Sequence, residues 1–340
     1  MERSKLIEWQ SIMTIYCYQD NYKKPIQTIS DILKNINRDD IHIVGAKNTI
    51  LNEHIKNNPD KIILSLYPGI ILDQPWAFIG RLRADIVILN SLKDYNEYKK
   101  ICNIFKVRFN GFLLGATWYN KTESIKEIQE KRYIVFFEQI DIPKTKENRI
   151  KLLDKIFKLA KRYPNRNFLI KSREEYNNTK LSLYNLSKEL ILPKNLNFTK
   201  LQTCDLIQNL DLGISISSST SIEALIAGKK YIIISDFGYK DTFVNFYKNS
   251  GIIKKFDCIN LSSLPKLNPK WQKQNITNPY NSDSINELII KLNQIQKEKI
   301  IINKNIIVWI KLILYYYKLF LKNPYLTFKK IKRTLNILGD

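Results

Sequence analysis

Residues 212–230 read LGISISSSTSIEALIAGKK. Leu212 to Ile216 is an apolar run of strand length that stops in five hydroxyl residues, Ser217 to Ser221, and a short helical stretch then leads through Gly228 to a second apolar run, Tyr231–Ser235. Strand, turn, helix and strand in so few residues form a βαβ unit, which calls for parallel strands with helices on the sheet faces. At the junction, hydroxyl groups meet the unbonded N–H groups and positive dipole end of a helix N-terminus, a combination that favours an anion such as phosphate. Glu223 follows Ser219 and Thr220 by three or four residues, so the same stretch also reads as a capping box.

The alternation continues in both directions. Upstream lie strands at Tyr133–Phe137 and Asn167–Lys171, with a helix between them that starts after Pro143, carries Ile150, Leu153, Phe157 and Ala160 on one face, and stops at Tyr163-Pro164. The first half repeats the pattern, with strands at Ser11–Tyr18, Ile41–Val44, Lys61–Ser65, Asp85–Leu89 and near Phe112–Thr117. A hydrophilic stretch, NKTESIKEIQEKR at Asn120–Arg132, separates the halves as a linker. The expected architecture is α/β, with two Rossmann-like domains facing a central cleft. The first covers residues 1–120, a linker 121–132 follows, the second covers 133–283, and a helical basic tail runs over 284–340.

With 340 residues, 44% hydrophobic and 26% charged, the chain has enough apolar material for two cores and is neither disordered nor fibrous. Its net charge of +23 favours polyanionic partners, which keeps nucleic acid, phosphorylated substrates and an anionic membrane open. Cys17, Cys102, Cys204 and Cys258 are scattered without a CxxC pair, so neither a disulfide framework nor a thiolate metal site is expected. Only His42 and His54 occur, one in an apolar strand and one on a helix, and core or surface packing is the reading for both. Asp-x-Asp, P-loop, GxGxxG and GxSxG motifs are absent, which argues against metal-dependent transfer, kinase, dehydrogenase and hydrolase chemistry. The N-terminal MERSKLIEWQ lacks the apolar core of a secretory signal, so a cytoplasmic site of action is expected.

The tail differs from the rest. Lys297, Lys304, Lys311 and Lys318 recur every seven residues, a drifting stripe if they share one helix, and between Lys297 and Arg333 there are ten Lys/Arg against one acid, Glu298. Such a helix suits the interface of an anionic bilayer better than a membrane span, and a helix packed back on the domains with a solvated lysine face is the compatible alternative.

The run SSSTSIEALIAG, Ser217 to Gly228, followed by KYIIIS to Ser235, resembles the nucleotide-sugar segment of GT-B glycosyltransferases, particularly bacterial capsule and lipooligosaccharide transferases. From FFEQ at 136–139 through SDFG at 235–238 to Gly251, the second half is similar to a family of uncharacterised bacterial glycosyltransferases. QDNY at 19–22, YPG at 67–69 and RAD at 83–85 extend the likeness into the first half. A double serine, Ser217-Ser218, also resembles the phosphate-binding pair of bacterial GT-B sialyltransferases, but where those carry His-Pro this chain has Ile170-Lys-Ser-Arg173.

This resemblance implies a GT-B fold and transfer of a sugar from a nucleotide donor to a surface glycan or glycolipid. No cofactor is expected, since the donor is itself the substrate. Lys171 and Arg173 would neutralise donor phosphate, Arg through its bidentate fork. Ser217, Ser218, Ser219, Thr220 and Glu223 would form the phosphate turn. Gln139, after a strand whose carboxyl end faces the crevice, would reach base or ribose. Asp236 reads as a turn residue. An inverting reaction needs a base, for which Asp20, closing the first strand, is preferred to Asp73. A CMP-activated acidic sugar leads over a UDP-hexose, and a non-enzymatic nucleic-acid-binding protein is the rival that rests on charge alone.

Overall fold

The computed structural model describes residues 5–6, 13–71, 75–119, 132–139, 142–172, 181–237, 246–302, 305–322 and 324–337. The expected linker at 121–132 lies almost entirely outside them. The chain divides into two compact units, Met1–Asn120 with Gln274–Asp340, and Lys121–Lys273. The second unit therefore closes at Lys273 and not at residue 283.

In the first unit, β1 (Lys5–Leu6) pairs antiparallel with β2 (Thr14–Cys17), and β3 (Ile41–Gly45), β4 (Ile62–Ser65), β5 (Ile86–Leu89) and β6 (Gly111–Leu113) follow in parallel, side by side in chain order. Between them come α1 (Lys23–Leu33), α2 (Asn48–Asn57), α3 (Pro75–Ile79) and α4 (Leu92–Phe105). Alternate side chains divide the core. Ile41, Ile43, Ile62, Leu64, Ile86 and Ile88 pack with Ile26, Ile29 and Leu33 of α1, while Val44, Ile63, Val87 and Leu89 pack with Leu51 of α2 and Ile101 and Phe105 of α4. Strands covered on both faces read as unbroken apolar runs, which is why they were visible in the sequence.

The C-terminal helices belong to this core. After α9 (Pro269–Asn275), Leu288 and Leu292 of α10 (Ser282–Gln294) join the α1 side, and residues of α11 (Ile306–Tyr315) and α13 (Pro324–Ile337), namely Val308, Leu312, Ile331 and Leu335, join the other, with α12 (Tyr317–Lys322) between them. The expected single lysine stripe is thereby corrected. Lys297 lies between α10 and α11 and pairs with the buried Asp85 at 2.7 Å, and Lys304 lies outside the described residues.

Arg81, 2% exposed, links the C-terminal ends of the first sheet's strands. Its Nη2 donates to the carbonyls of Ala46 (3.2 Å) and Leu66 (3.0 Å) and to the Tyr22 hydroxyl (3.0 Å), its Nη1 donates to Asn48 Oδ1 (2.7 Å), and the guanidinium stacks 4.2 Å above the Tyr67 ring. Ala46 and Leu66 immediately follow β3 and β4, so one side chain fixes the exits of two neighbouring strands.

The second unit contains β7 (Tyr133–Phe137), α5 (Lys146–Arg162), β8 (Asn167–Lys171), α6 (Leu183–Ser187), β9 (Leu196–Thr199), α7 (Thr203–Gln208), β10 (Leu210–Ser215), α8 (Thr220–Ile226), β11 (Lys230–Ile234) and β12 (Ile253–Lys254). All six strands are parallel, in the order β12-β11-β10-β7-β8-β9. Gly213 lies beneath the Tyr231 ring, where a Cβ would come within 2.3 Å of ring carbon. On α5 the expected Leu153 and Ala160 face inward with Arg149, Leu152, Ile156 and Leu159, and Phe157 packs at the edge of the core; only Ile150 departs from the expected face, at 43% exposed. Arg149 takes the inward position beside Ile150 because it reaches a buried carboxylate, Glu138, at 2.9 Å.

Replacing Arg81 by Met leaves two carbonyls and a tyrosine hydroxyl without their donor in the core. Urea denaturation should show a loss of about 3 kcal/mol or more, since each unsatisfied buried polar group costs about 1–3 kcal/mol.

Candidate functional site

The strand order of the second sheet runs from β7 outward to β9 and then returns to β10 on the other side of β7. Such a reversal opens a crevice at the carboxyl ends of the two central strands, where open α/β sheets hold their ligands. The first sheet, whose strands follow chain order, has no reversal. In the second, the two segments leaving the central strands are Glu138-Gln139 after β7 and Ile216 to Ser219 after β10.

Gln139 bridges them. Its Oε1 accepts from the backbone N–H of Ile216 (2.8 Å) and of Ser217 (3.2 Å), and its Nε2 donates to the Phe137 carbonyl. Gln139, expected to reach base or ribose, holds the serine turn against β7 through this carboxamide.

Within the turn, Ser218 is committed to local structure. Its Oγ accepts from Thr220 N–H (3.2 Å) and lies 3.0 Å from Thr220 Oγ1, and its own N–H reaches Ser215 Oγ at 3.4 Å. Ser219 occupies the N-cap of α8 but makes no side-chain cap bond, so the expected Ser219 half of a capping box is not formed, and Ser218 meets the N–H of the first helical residue, Thr220. Ser221 donates to the Ser218 carbonyl (2.8 Å) and bonds the buried Tyr247 hydroxyl. Among the described residues, the hydroxyls of Ser217 and Ser219 have no protein partner, and both residues are half-buried. Both keep their hydroxyls for a ligand, and Thr220, whose Oγ1 accepts from Ser218, keeps its own proton to donate. Glu223 is buried in the first turn of α8, which Gly228 ends at φ +71° while Lys229 N–H bonds the Ala224 carbonyl at 2.9 Å.

Beneath the crevice, Glu138 and Arg149 form an ion pair whose side chains are 3% and 2% exposed. Burial pushes the Glu138 carboxyl up, while the Leu183 N–H (2.9 Å) and Arg149 oppose that. Lys171, at the end of β8, donates to the Lys200 carbonyl at 3.3 Å, and Arg173 lies outside the described residues. Asp236 accepts from Phe256 N–H, as a turn residue.

In the first unit, Asp20 begins a 3-10 turn just past β2. Its side chain is 91% exposed and pairs with Lys23 at 2.8 Å. Asp73 lies outside the described residues. His42 and His54 are both buried, and sequence reasoning did not pair them: their rings are bonded Nδ1 to Nε2 at 3.1 Å, and the Tyr18 hydroxyl lies 2.9 Å from His54 Nδ1. Burial pushes both imidazoles down to about 4. Among the described residues, no three His, Cys, Asp or Glu side chains gather as a metal site.

The family described as "Putative glycosyltransferase (DUF6716)" matches residues 30–292. Among solved structures, the fold is similar to the UDP-GlcNAc 2-epimerase from Neisseria meningitidis bound to UDP-GlcNAc, with TM-score 0.50 and 15% identity over 80% of each chain. It is also similar to a putative UDP-N-acetylglucosamine 2-epimerase from Listeria monocytogenes, with TM-score 0.51 and 12% identity over 83% of this chain and 81% of that one. At such identities the likeness establishes the fold, a two-domain α/β architecture of GT-B kind. Among curated proteins, none matches.

If Gln139 braces the turn, Gln139→Ala should lower stability by about 1–3 kcal/mol without any ligand present, whereas a residue acting only on ligand would leave the melting temperature unchanged. The histidines give a pH signature. Their folded pKa values lie below the ordinary 6.5, so the unfolded chain takes up protons first as the medium is acidified. Stability should therefore fall between about pH 6.5 and 4, with a slope of up to about 1.4 kcal/mol per pH unit for each imidazole. His42→Met should flatten that decline in melting temperature.

Proposed function

Because the chain belongs to the family of glycosyltransferases described as "Putative glycosyltransferase (DUF6716)", we propose that it transfers a sugar from a nucleotide donor to a surface glycan or lipid-linked acceptor, by direct displacement with inversion and without a metal, at the face of a membrane. The observation that carries the reading is the order reversal between β7 and β10, with the hydroxyls of Ser217 and Ser219 at its rim and Gln139 fixing the turn that presents them.

In this reading the donor phosphate sits at the serine turn, with the N-terminal N–H groups of α8 and the cations Lys171 and Arg173 meeting its charge. The acceptor hydroxyl oxygen attacks the anomeric carbon as the bond from that carbon to the phosphate oxygen breaks, and the nucleotide departs with the electron pair. A carboxylate takes the hydroxyl proton. Asp20 is the residue proposed for this step, exposed at the end of β2 in the first unit. The preference for a CMP-activated acidic sugar came from the double serine, yet Ser218 is engaged with Thr220. A UDP-hexose stands beside it as the alternative donor.

A thermal-shift screen against CMP, UDP, GDP and their sugar conjugates, with and without EDTA, tests the proposal. One nucleotide should raise the melting temperature selectively, EDTA should not change the shift, and Ser217→Ala with Ser219→Ala should reduce it by at least half while the unliganded melting temperature stays constant. No shift with any nucleotide, or a shift abolished by EDTA, would count against the metal-free donor site.

A further inference from the structure

Among the described residues, the last three helices carry an apolar face that no other element covers. On α11, Val308 and Leu312 point into the core of the first unit, whereas Ile306, Ile310 and Leu314 lie on the opposite side with exposures of 70%, 50% and 67%. A surface helix normally carries polar residues on its outer side, but α11 reads IIVWIKLILY, with Lys311 its one charged residue. Leu321 of α12 and Tyr325 of α13 are 77% and 74% exposed, and the exposed Phe328 ring lies 5.5 Å from that of Trp309, so α11 and α13 form one continuous surface. Exposed apolar residues gathered this densely mark an interaction site.

The same helices supply charge of a single sign. Between Asn305 and Ile337 the sequence has seven Lys/Arg and no Asp or Glu, and Lys311, Lys318, Lys329, Lys332 and Arg333 are exposed. We propose that this face docks the first unit on an anionic lipid bilayer, with the helices lying in the plane of the interface, the isoleucines and leucines at the acyl boundary and the lysines among the headgroups. A polyanion without an apolar layer would leave the isoleucines in water, and a second copy of the chain would set like charges opposite one another. A bilayer of anionic lipid answers both features. No described helix is long and apolar enough to cross a membrane, which suits a helix that lies on the surface.

The inference extends the membrane-surface role proposed above, but its test needs no donor. The full chain is co-sedimented with vesicles of phosphatidylglycerol and phosphatidylcholine, and with phosphatidylcholine alone. Binding should be at least tenfold stronger to the anionic vesicles, and should weaken severalfold in about 0.5 M salt. Leu314→Glu with Leu321→Glu, both at exposed positions, should abolish it with an unchanged melting temperature, and Lys329→Ser with Lys332→Ser should weaken it about tenfold. The lysine variants keep the test decisive if the glutamates disturb folding. Wild-type protein that ignores anionic vesicles would overturn the proposal, as would variants that bind like wild type. So would light scattering that finds a dimer split by the glutamates. Vesicle binding without any nucleotide shift would overturn the transferase reading alone, and a nucleotide shift without vesicle binding would overturn this one alone.

Discussion

The candidate site depends on one constraint, the reversal of strand order between β7 and β10 in the second sheet. Parallel strands with crossover helices leave their carboxyl-end loops on one edge, and a crevice opens where consecutive connections depart in opposite directions. That gap must be kept in register, and the Gln139 carboxamide does so by accepting two N–H groups of the β10 exit while bonding back to β7. Everything the serine turn can present follows from this fixed starting point. Ser218 and Ser221 are used to shape the turn, and Ser217 and Ser219 retain their hydroxyls.

The first unit solves a different problem. With strands in chain order it has no comparable crevice, and its carboxyl edge is organised by Arg81, a cation buried among neutral oxygens and a tyrosine ring. Placing a charge there is costly unless its donors are met. The partners all come from the exits of β2, β3 and β4 and their loops, so the folded arrangement of those loops is the condition under which the arginine can be buried.

How far the sequence was legible follows from which signal each residue carries. The central strands were readable because burial on both faces makes them continuous apolar runs, and Leu212–Lys230 disclosed a βαβ unit through its hydroxyl block and closing glycine. β9 escaped notice because Leu196–Thr199, LNFT, alternates with polar residues at a sheet edge, and β12 is only two residues long. On α5 only Ile150 was misplaced, since a period of apolar residues selects it over Arg149, and nothing local reveals that Glu138 waits eleven residues earlier to pair with that arginine. The His42–His54 contact had the same character: each residue looks like packing by itself, and only the adjacency of β3 and α2 joins them. For the serine turn, composition identified the segment, but which hydroxyls remain available is a matter of geometry.

The C-terminal helices show the same division between composition and placement. Their lysines were plain in the sequence and suggested one amphipathic helix with a basic stripe, whereas the chain breaks into three, separated at Tyr316 and before Pro324. The break matters because it lets α11 and α13 each send one row of side chains into the core and still expose another, a result a single straight helix with one apolar face would not produce. Apolar residues on both sides of a surface helix are unfavourable in water unless the outer row has a partner of its own. The inner rows are accounted for by Val308, Leu312, Ile331 and Leu335. What remains is an outer row whose chemistry, isoleucine and leucine among cations of a single sign, is complementary to an anionic bilayer surface, and it lies on the first unit.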